Sequence, residues 1–396
     1  MSGGTPAKRT TEGLLRSRID ALIAQIDAAQ SSLASIEPEE LRERIEIRLR
    51  IELGRRRKEA RELSAAVSDG PPGQVWTDLF VLQTDLTGLF EEILALVEGA
   101  ALRAAGADEG YCGLADALID EIVKKTDVPW GAFTVLGSRE FYARSTRVIR
   151  VRYPGRSFWE LPVAVHELGH FLGPELKRAD GARSVHPFEG LLESARADEP
   201  HYWSWLHEIF SDVFATHVLG PCYGLTCAFD RFDPVEARDD SATHPAPNTR
   251  MAVITAALDG SGAVEDYAWV RDAMVTAWQS STGEAGTADG RDGRGVLPEP
   301  FSSWFAASSD LIAEFLPTAG YDGWLHAMLL AHRLTAADAS HNTSLDVSGD
   351  SSDGQRIRNV VNAAWLVRLR GVDDSADRRI ARQARRLIAS GGSEVA

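Results

Sequence analysis

From Leu15 onward the apolar residues Leu15, Ile19, Leu22, Ile26, Ala29, Leu33 and Ile36 recur at alternating intervals of four and three. That is the a/d seam of nearly three heptads, so the pattern predicts a helix with one stripe to bury. Pro38, set among Glu37, Glu39 and Glu40, reads as the start of a second helix, because carboxylates favour a first turn. Leu41, Ile45, Leu49 and Leu53 give that helix its own stripe. Residues 12 to 67 are therefore expected to form an antiparallel hairpin, or a coiled-coil surface for a partner or a second copy. The breaker cluster Ser68-Asp69-Gly70-Pro71-Pro72-Gly73 marks the first expected domain boundary.

Helical patterning then covers 75 to 104 and 113 to 125. After Pro129 the character changes. Residues 132 to 136 and 147 to 153 are short β-prone runs, and in the second Ile149, Val151 and Tyr153 alternate with Arg150 and Arg152 as in a half-exposed strand. A helix follows, with Pro162 near its start, Gly173-Pro174 at its end and an apolar stripe of Leu161, Val165, Leu168 and Leu172. The stretch 174 to 200 reads as a polar, irregular loop, and 202 to 219 as a long helix stopped by Gly220-Pro221. A helix through Arg250 and Met251 to Leu258 and another over 264 to 279 precede a Gly/Asp/Ser-rich linker or surface loop at 280 to 300. Further helices are expected at 301 to 315, 321 to 336, 355 to 370 and 375 to 389, with a polar loop at 339 to 354. The expected class is predominantly helical α+β with a small sheet. Its expected divisions are a hairpin (1–70), a core (71–280), a linker (281–300) and a C-terminal helical region (301–396).

The chemistry concentrates in the helix that follows the β-prone runs, at His166-Glu167-Leu168-Gly169-His170. A helix turns about 100° per residue, so His166 and His170 project side by side while Glu167 sits a quarter turn away. Two neutral imidazoles at i and i+4 can bind one Zn²⁺, and the intervening Glu can take a proton from the metal-bound water. On the helix over 202 to 219, Leu206, Phe210 and Val213 make the buried stripe, and Glu208 and Asp212 project together from the other side. Beside HELGH that pair supplies the missing parts: Glu208 as third metal ligand and Asp212 as acceptor for the far nitrogen of a ligand imidazole. His207 is the rival third ligand. His217 reads as a core histidine, and His186, in the polar loop, as a solvated one.

Composition narrows the partners. The net charge of −16 repels nucleic acid and anionic membranes, and no apolar run is long enough for a membrane span, so neither is expected as a partner and a cytoplasmic protein is. Cys112, Cys222 and Cys227 lack metal-site or disulfide spacing and read as reduced structural thiols. The run Arg55-Arg56-Arg57-Lys58 is interleaved with Glu52, Glu59 and Glu62, and the arginines between Arg378 and Arg386 spread around their helix; both read as solvated faces.

One arrangement of motifs resembles a known group. Gly173 fits the glycine of the metzincin pattern, but Leu176 stands where that class needs a ligand. Glu208-Ile209-Phe210-Ser211-Asp212 instead has the ExxxD form of gluzincins, 208 − 170 = 38 residues after HELGH, and the segment looks like the corresponding helix of thermolysin-type enzymes. His244-Pro245 with Arg250, 250 − 244 = 6 residues on, resembles the HPxxxxR motif of the CAAX prenyl endopeptidase superfamily and its soluble relatives. The resemblance covers roughly 147 to 258 and is absent from both helical ends.

It implies a zincin-like core, an edge strand before the metal helix that pairs with substrate, and zinc-dependent hydrolysis of peptide bonds with Glu167 as general base. Zn²⁺ would be held by His166, His170 and Glu208, with His244 and Arg250 facing the site as donors to the developing oxyanion. Other readings stay open. His244 can merely cap its helix while Arg250 pairs with Asp239, Asp240 or Asp212, and Tyr202 and Tyr223 are then the next oxyanion donors. The substrate can be a non-peptide amide, or zinc can be structural in an interaction or sensor protein.

Overall fold

The computed structural model describes residues 6–36, 39–126, 128, 133–138, 141–143, 148–152, 158–180, 183–260, 264–283, 297–337, 353–371 and 374–390. Much of the expected linker and of the polar loop over 339 to 354 lies outside them. The chain divides into two units, one of Met1–Cys112 with Gly131–Pro154 and one of Gly113–Trp130 with Gly155–Ala396.

The first unit carries three long helices, α1 (Pro6–Ser32), α2 (Glu39–Ala66) and α3 (Pro72–Ala104). Leu15, Ile19, Leu22, Ile26, Leu33 and Ile36 are buried against Ile45, Leu49 and Leu53 of α2 and Val75, Leu79, Leu82, Leu86 and Ile93 of α3. The heptad seam is thus closed inside its own unit. Residues 68–73 do not end this unit: Gly70 donates to the Ala66 carbonyl at 2.7 Å, and Pro72, whose missing N–H costs nothing at a helix start, opens α3. The arginine run is spent on neighbouring carboxylates, Arg55 on Glu52 at 2.6 Å and Arg56 on Asp85 at 2.8 Å.

Three strands complete this unit: β1 (Thr134–Gly137), β2 (Phe141–Ala143) and β3 (Val148–Arg152). Their order is β1-β3-β2, with β3 parallel to β1 and antiparallel to β2. The expected edge strand is therefore the middle one, with neighbours on both sides, and it cannot take up a substrate backbone. The sequence pattern missed β2 because three residues are too few to show alternation. Helix α3 lies on β1 at Gly99, where a Cβ would stand 2.0 Å from the Leu136 carbonyl oxygen.

In the second unit α4 (Tyr111–Lys124), which begins at the boundary, is joined by α5 (Leu161–Glu175), α6 (Pro187–Asp198), α7 (Tyr202–Leu219), α8 (Pro221–Thr226), α9 (Pro247–Asp259) and α10 (Val264–Ser281). Helices α11 (Phe301–Phe315), α12 (Trp324–Ala337), α13 (Asp353–Leu369) and α14 (Asp374–Ser390) follow. The stretch expected as irregular loop instead holds a hairpin, β4 (Arg178–Asp180) with β5 (Arg183–Val185), and then α6. Pro187 starts α6, and Phe188, Leu192 and Ala195 at helical spacing bury it; the surrounding charges hid this stripe. No helix among the described residues is long and apolar enough to cross a membrane.

Helices α5 and α7 make the close crossing that organises this unit. A Cβ on Gly169 would lie 2.8 Å from the Ser211 Cα of α7, and one on Gly173 3.1 Å from the Phe210 ring of α7 and 2.8 Å from the Phe188 ring of α6, so only glycine permits the approach. Both helices are buried nearly all round instead of along one stripe, from Leu161 to Gly169 and from Trp205 to Thr216. The C-terminal end of α7 is finished from α13: Arg358 donates to the Val218 carbonyl at 3.0 Å and Asn362 to that of Leu219 at 2.8 Å. These donors satisfy carbonyls that a helix end leaves open.

Candidate metal centre

Gly169 lies between His166 and His170, and Ser211 between Glu208 and Asp212, so the close crossing of α5 and α7 brings the four polar side chains face to face. His166 Nε2 is 3.3 Å from Glu208 Oε2, and His170 Nε2 is 3.3 Å from Glu208 Oε1. One donor atom from each of His166, His170 and Glu208 falls within 4.8 Å of both others, forming a cluster that could hold a metal ion. Donors about 2.1 Å from a shared tetrahedral ion stand about 3.4 Å apart, so the observed spacing suits a small cation. Glu208 Oε2 is also buried, with His166 and Arg250 as its ion-pair partners.

Behind the donors lies a second layer of contacts. Asp212 Oδ1 is 3.1 Å from His166 Nδ1, the ring nitrogen turned away from Glu208. Tyr223, from α8, donates to Asp212 Oδ1 at 2.5 Å and stands 2.9 Å from the same His166 nitrogen. Arg250, on the first turns of α9, donates from Nε to Asp212 Oδ2 at 2.8 Å and from Nη2 to Oδ1 at 2.7 Å, while Nη1 lies 3.1 Å from Glu208 Oε2. Of the partners left open for Arg250, the structure selects Asp212 and adds Glu208. Its guanidinium is engaged with these two carboxylates, so it acts on their position and charge and does not face a carbonyl as an oxyanion donor.

The charges of the site follow from these contacts. Burial alone would raise the Asp212 carboxyl, but Arg250 outweighs it and holds the group down at about 2. Glu208 is likewise held well below the ordinary carboxylate range, against burial, by Arg250 and His170. Burial works against a charged His166, yet its hydrogen bonds to Asp212 and Glu208 push it up to about 9. Tyr223 is raised by burial and by Asp212 and stays a phenol, a hydrogen-bond donor. The two carboxylates thus draw a positive charge onto the His166 imidazole.

Other candidates fall in distinct places. Glu167 is buried beside its histidines, with no hydrogen bond or ion pair among the described residues. His244 is half exposed, its Nε2 3.5 Å from Glu208 Oε1 and its Nδ1 2.7 Å from Thr243 Oγ1, so it stands at the open side of the cluster. His207 packs its ring against Trp203 and Phe188, at 4.6 and 5.2 Å, and is not among the clustered donors. His186 lies 3.0 Å from the Pro174 carbonyl. His217 is kept from protonating chiefly by burial. Tyr202 packs on Trp304 at 5.1 Å, and Tyr223 is committed behind His166, which removes it as an oxyanion donor. All three cysteines are buried and none is in a disulfide.

Sequence reasoning passed over Tyr223 as a partner of His166 and Asp212, since no spacing links α8 to α5. It also passed over the glycines that set the crossing, although Gly169 and Gly173 stand four apart. No family model, no characterised protein and no solved structure matches the chain.

Proposed function

We propose that the protein is a zinc-dependent peptidase of gluzincin type. The reading rests most on one observation: two imidazoles and a carboxylate converge at ligand spacing next to Glu167, a buried carboxylate with no partner of its own among the described residues. His166, His170 and Glu208 would hold the ion. A donor set of two imidazoles and a carboxylate suits zinc, and three protein ligands leave a position open, as catalytic sites do. Bound there, zinc acidifies water and polarises a carbonyl. Glu167 takes the proton from the attacking water and passes it to the leaving amine. Asp212 and Tyr223 fix the ring of His166 through Nδ1, leaving Nε2 for the ion. Arg250 keeps both carboxylates ionised, so the site does not lose its charge to protons. His244 reaches over the cluster from the open side, where a substrate carbonyl oxygen would sit, and supplies the hydrogen bond that Arg250 does not.

The experiment is Glu167→Gln, assayed on denatured casein as a general unfolded substrate after loading with zinc. The variant is expected to keep its zinc and lose about 10²- to 10⁴-fold in kcat, the usual worth of a general base. A zinc-loaded Glu167→Gln protein with wild-type kcat would overturn the assignment.

A further inference from the structure

The loop that carries His244 is tied to the metal helix itself. Trp205, three residues before Glu208 on α7, donates its indole N–H to the Ser241 carbonyl at 2.8 Å. Ser241 then holds the backbone of His244 twice: its N–H donates to the His244 carbonyl at 2.9 Å, and its Oγ accepts from the His244 N–H at 2.9 Å. Thr243 Oγ1 meets the ring at Nδ1, 2.7 Å away, which leaves Nε2 as the atom facing Glu208. Asp240 closes the turn by accepting from the Ala246 N–H at 2.7 Å.

The indole is itself held in place. His201 lies 4.5 Å from it and Phe301 of α11 stacks at 5.8 Å, with Trp304 behind Phe301 at 5.5 Å. Its ring is almost fully buried, so packing fixes the direction of the N–H. Residues three apart on a helix share a face, so Trp205 and Glu208 move as one piece. The separation between His244 and the cluster is therefore set by helix α7 and does not depend on the loop alone.

We infer that Trp205, acting through Ser241, is the positioning residue that holds the His244 imidazole over the metal centre. The inference rests on the peptidase reading for its effect on rate, but not for its geometry. Without the N–H tie, the exposed loop keeps its internal turn yet loses its anchorage to α7, and Nε2 no longer has one place relative to Glu208. A misplacement of about 1 Å costs on the order of 10²-fold in rate when a group must meet a reacting atom.

Trp205→Phe keeps an aromatic ring and removes the N–H; Ser241→Ala keeps the carbonyl and removes the Oγ, and is the second variant should the first fail to fold. Two readouts are taken on the full chain. In zinc-free protein, the His244 ring proton resonance, identified by its loss in His244→Ala, is expected to move in both variants toward the position of a free imidazole. In zinc-loaded protein assayed on denatured casein, kcat is expected to fall by about 10- to 10²-fold with KM little changed, while zinc content stays at the wild-type level. Placed on top of His244→Ala, either change is expected to add almost nothing, because the group being positioned is gone. A His244 resonance that stays put in both variants, or a rate loss of equal size with and without His244, overturns the inference. Wild-type protein that cleaves nothing overturns the peptidase reading, and the ring resonance still decides whether Trp205 positions His244.

Discussion

Among the described residues the first unit buries one charged side chain, Asp108, whereas the second buries Glu121, His166, Glu167, His207, Glu208, Asp212, Arg250 and Arg358. Desolvating an ion costs several kcal/mol, and a partner recovers that only with good geometry. The first unit needs little such compensation, since its core is a cluster of apolar side chains. In the second, every member of the Arg250–Asp212–His166–Glu208 group is held by another, beside three donors that could hold a metal ion. The two units thus differ in how much charge they bury.

Breaking the charged group has the largest expected effect. Arg250→Ala leaves Asp212 and Glu208 buried without their cation and is expected to cost about 3–5 kcal/mol, read as a lower midpoint in urea unfolding of the zinc-free protein. Next comes Ile19→Ala in the apolar body, where the side chain is fully buried; about 2–5 kcal/mol of stability is expected to go, with zinc affinity untouched. Equal loss of zinc affinity in that variant would erase the distinction between the units.

Glycine substitutions sharpen the contrast. Gly169→Ala forces a Cβ onto Ser211 and is expected to cost about 1–3 kcal/mol and to weaken zinc binding, because it parts the ligand helices. Gly88→Ala on α3 meets nothing within 4 Å and is expected to be neutral or to stabilise by about 0.4–1 kcal/mol. Smallest is Tyr223→Phe, which removes the hydroxyl that contacts both Asp212 and His166; zinc affinity by competition with a chelator is expected to drop about tenfold, at the low end for such partners, with little change in unfolding.

The same contrast explains what the sequence made legible. In the first unit, apolar spacing located the helices because each buries one stripe against the others. In the second, His166, His170, Glu208 and Asp212 could be paired because each couple is four apart on its own helix. What escaped was set between elements. Whether Arg250 met Asp239, Asp240 or Asp212 depended on how α9 approached α7, and Tyr223 depended on where the chain turned after Gly220. The strand over 147 to 153 was foreseen, yet its middle place in the sheet was not, since pairing order is not written in alternation. Helix α6 was hidden by the charges interspersed with its three buried residues.

The central claim is that His166, His170 and Glu208 together bind one zinc ion. X-ray absorption at the zinc edge, on protein loaded with one equivalent of zinc, tests it most directly. The expected spectrum shows nitrogen and oxygen neighbours at about 2.0–2.1 Å, with the outer scattering of two imidazoles, and Glu208→Ala no longer retains the ion. A sulfur shell at about 2.3 Å, or protein that takes up no zinc at all, would contradict it.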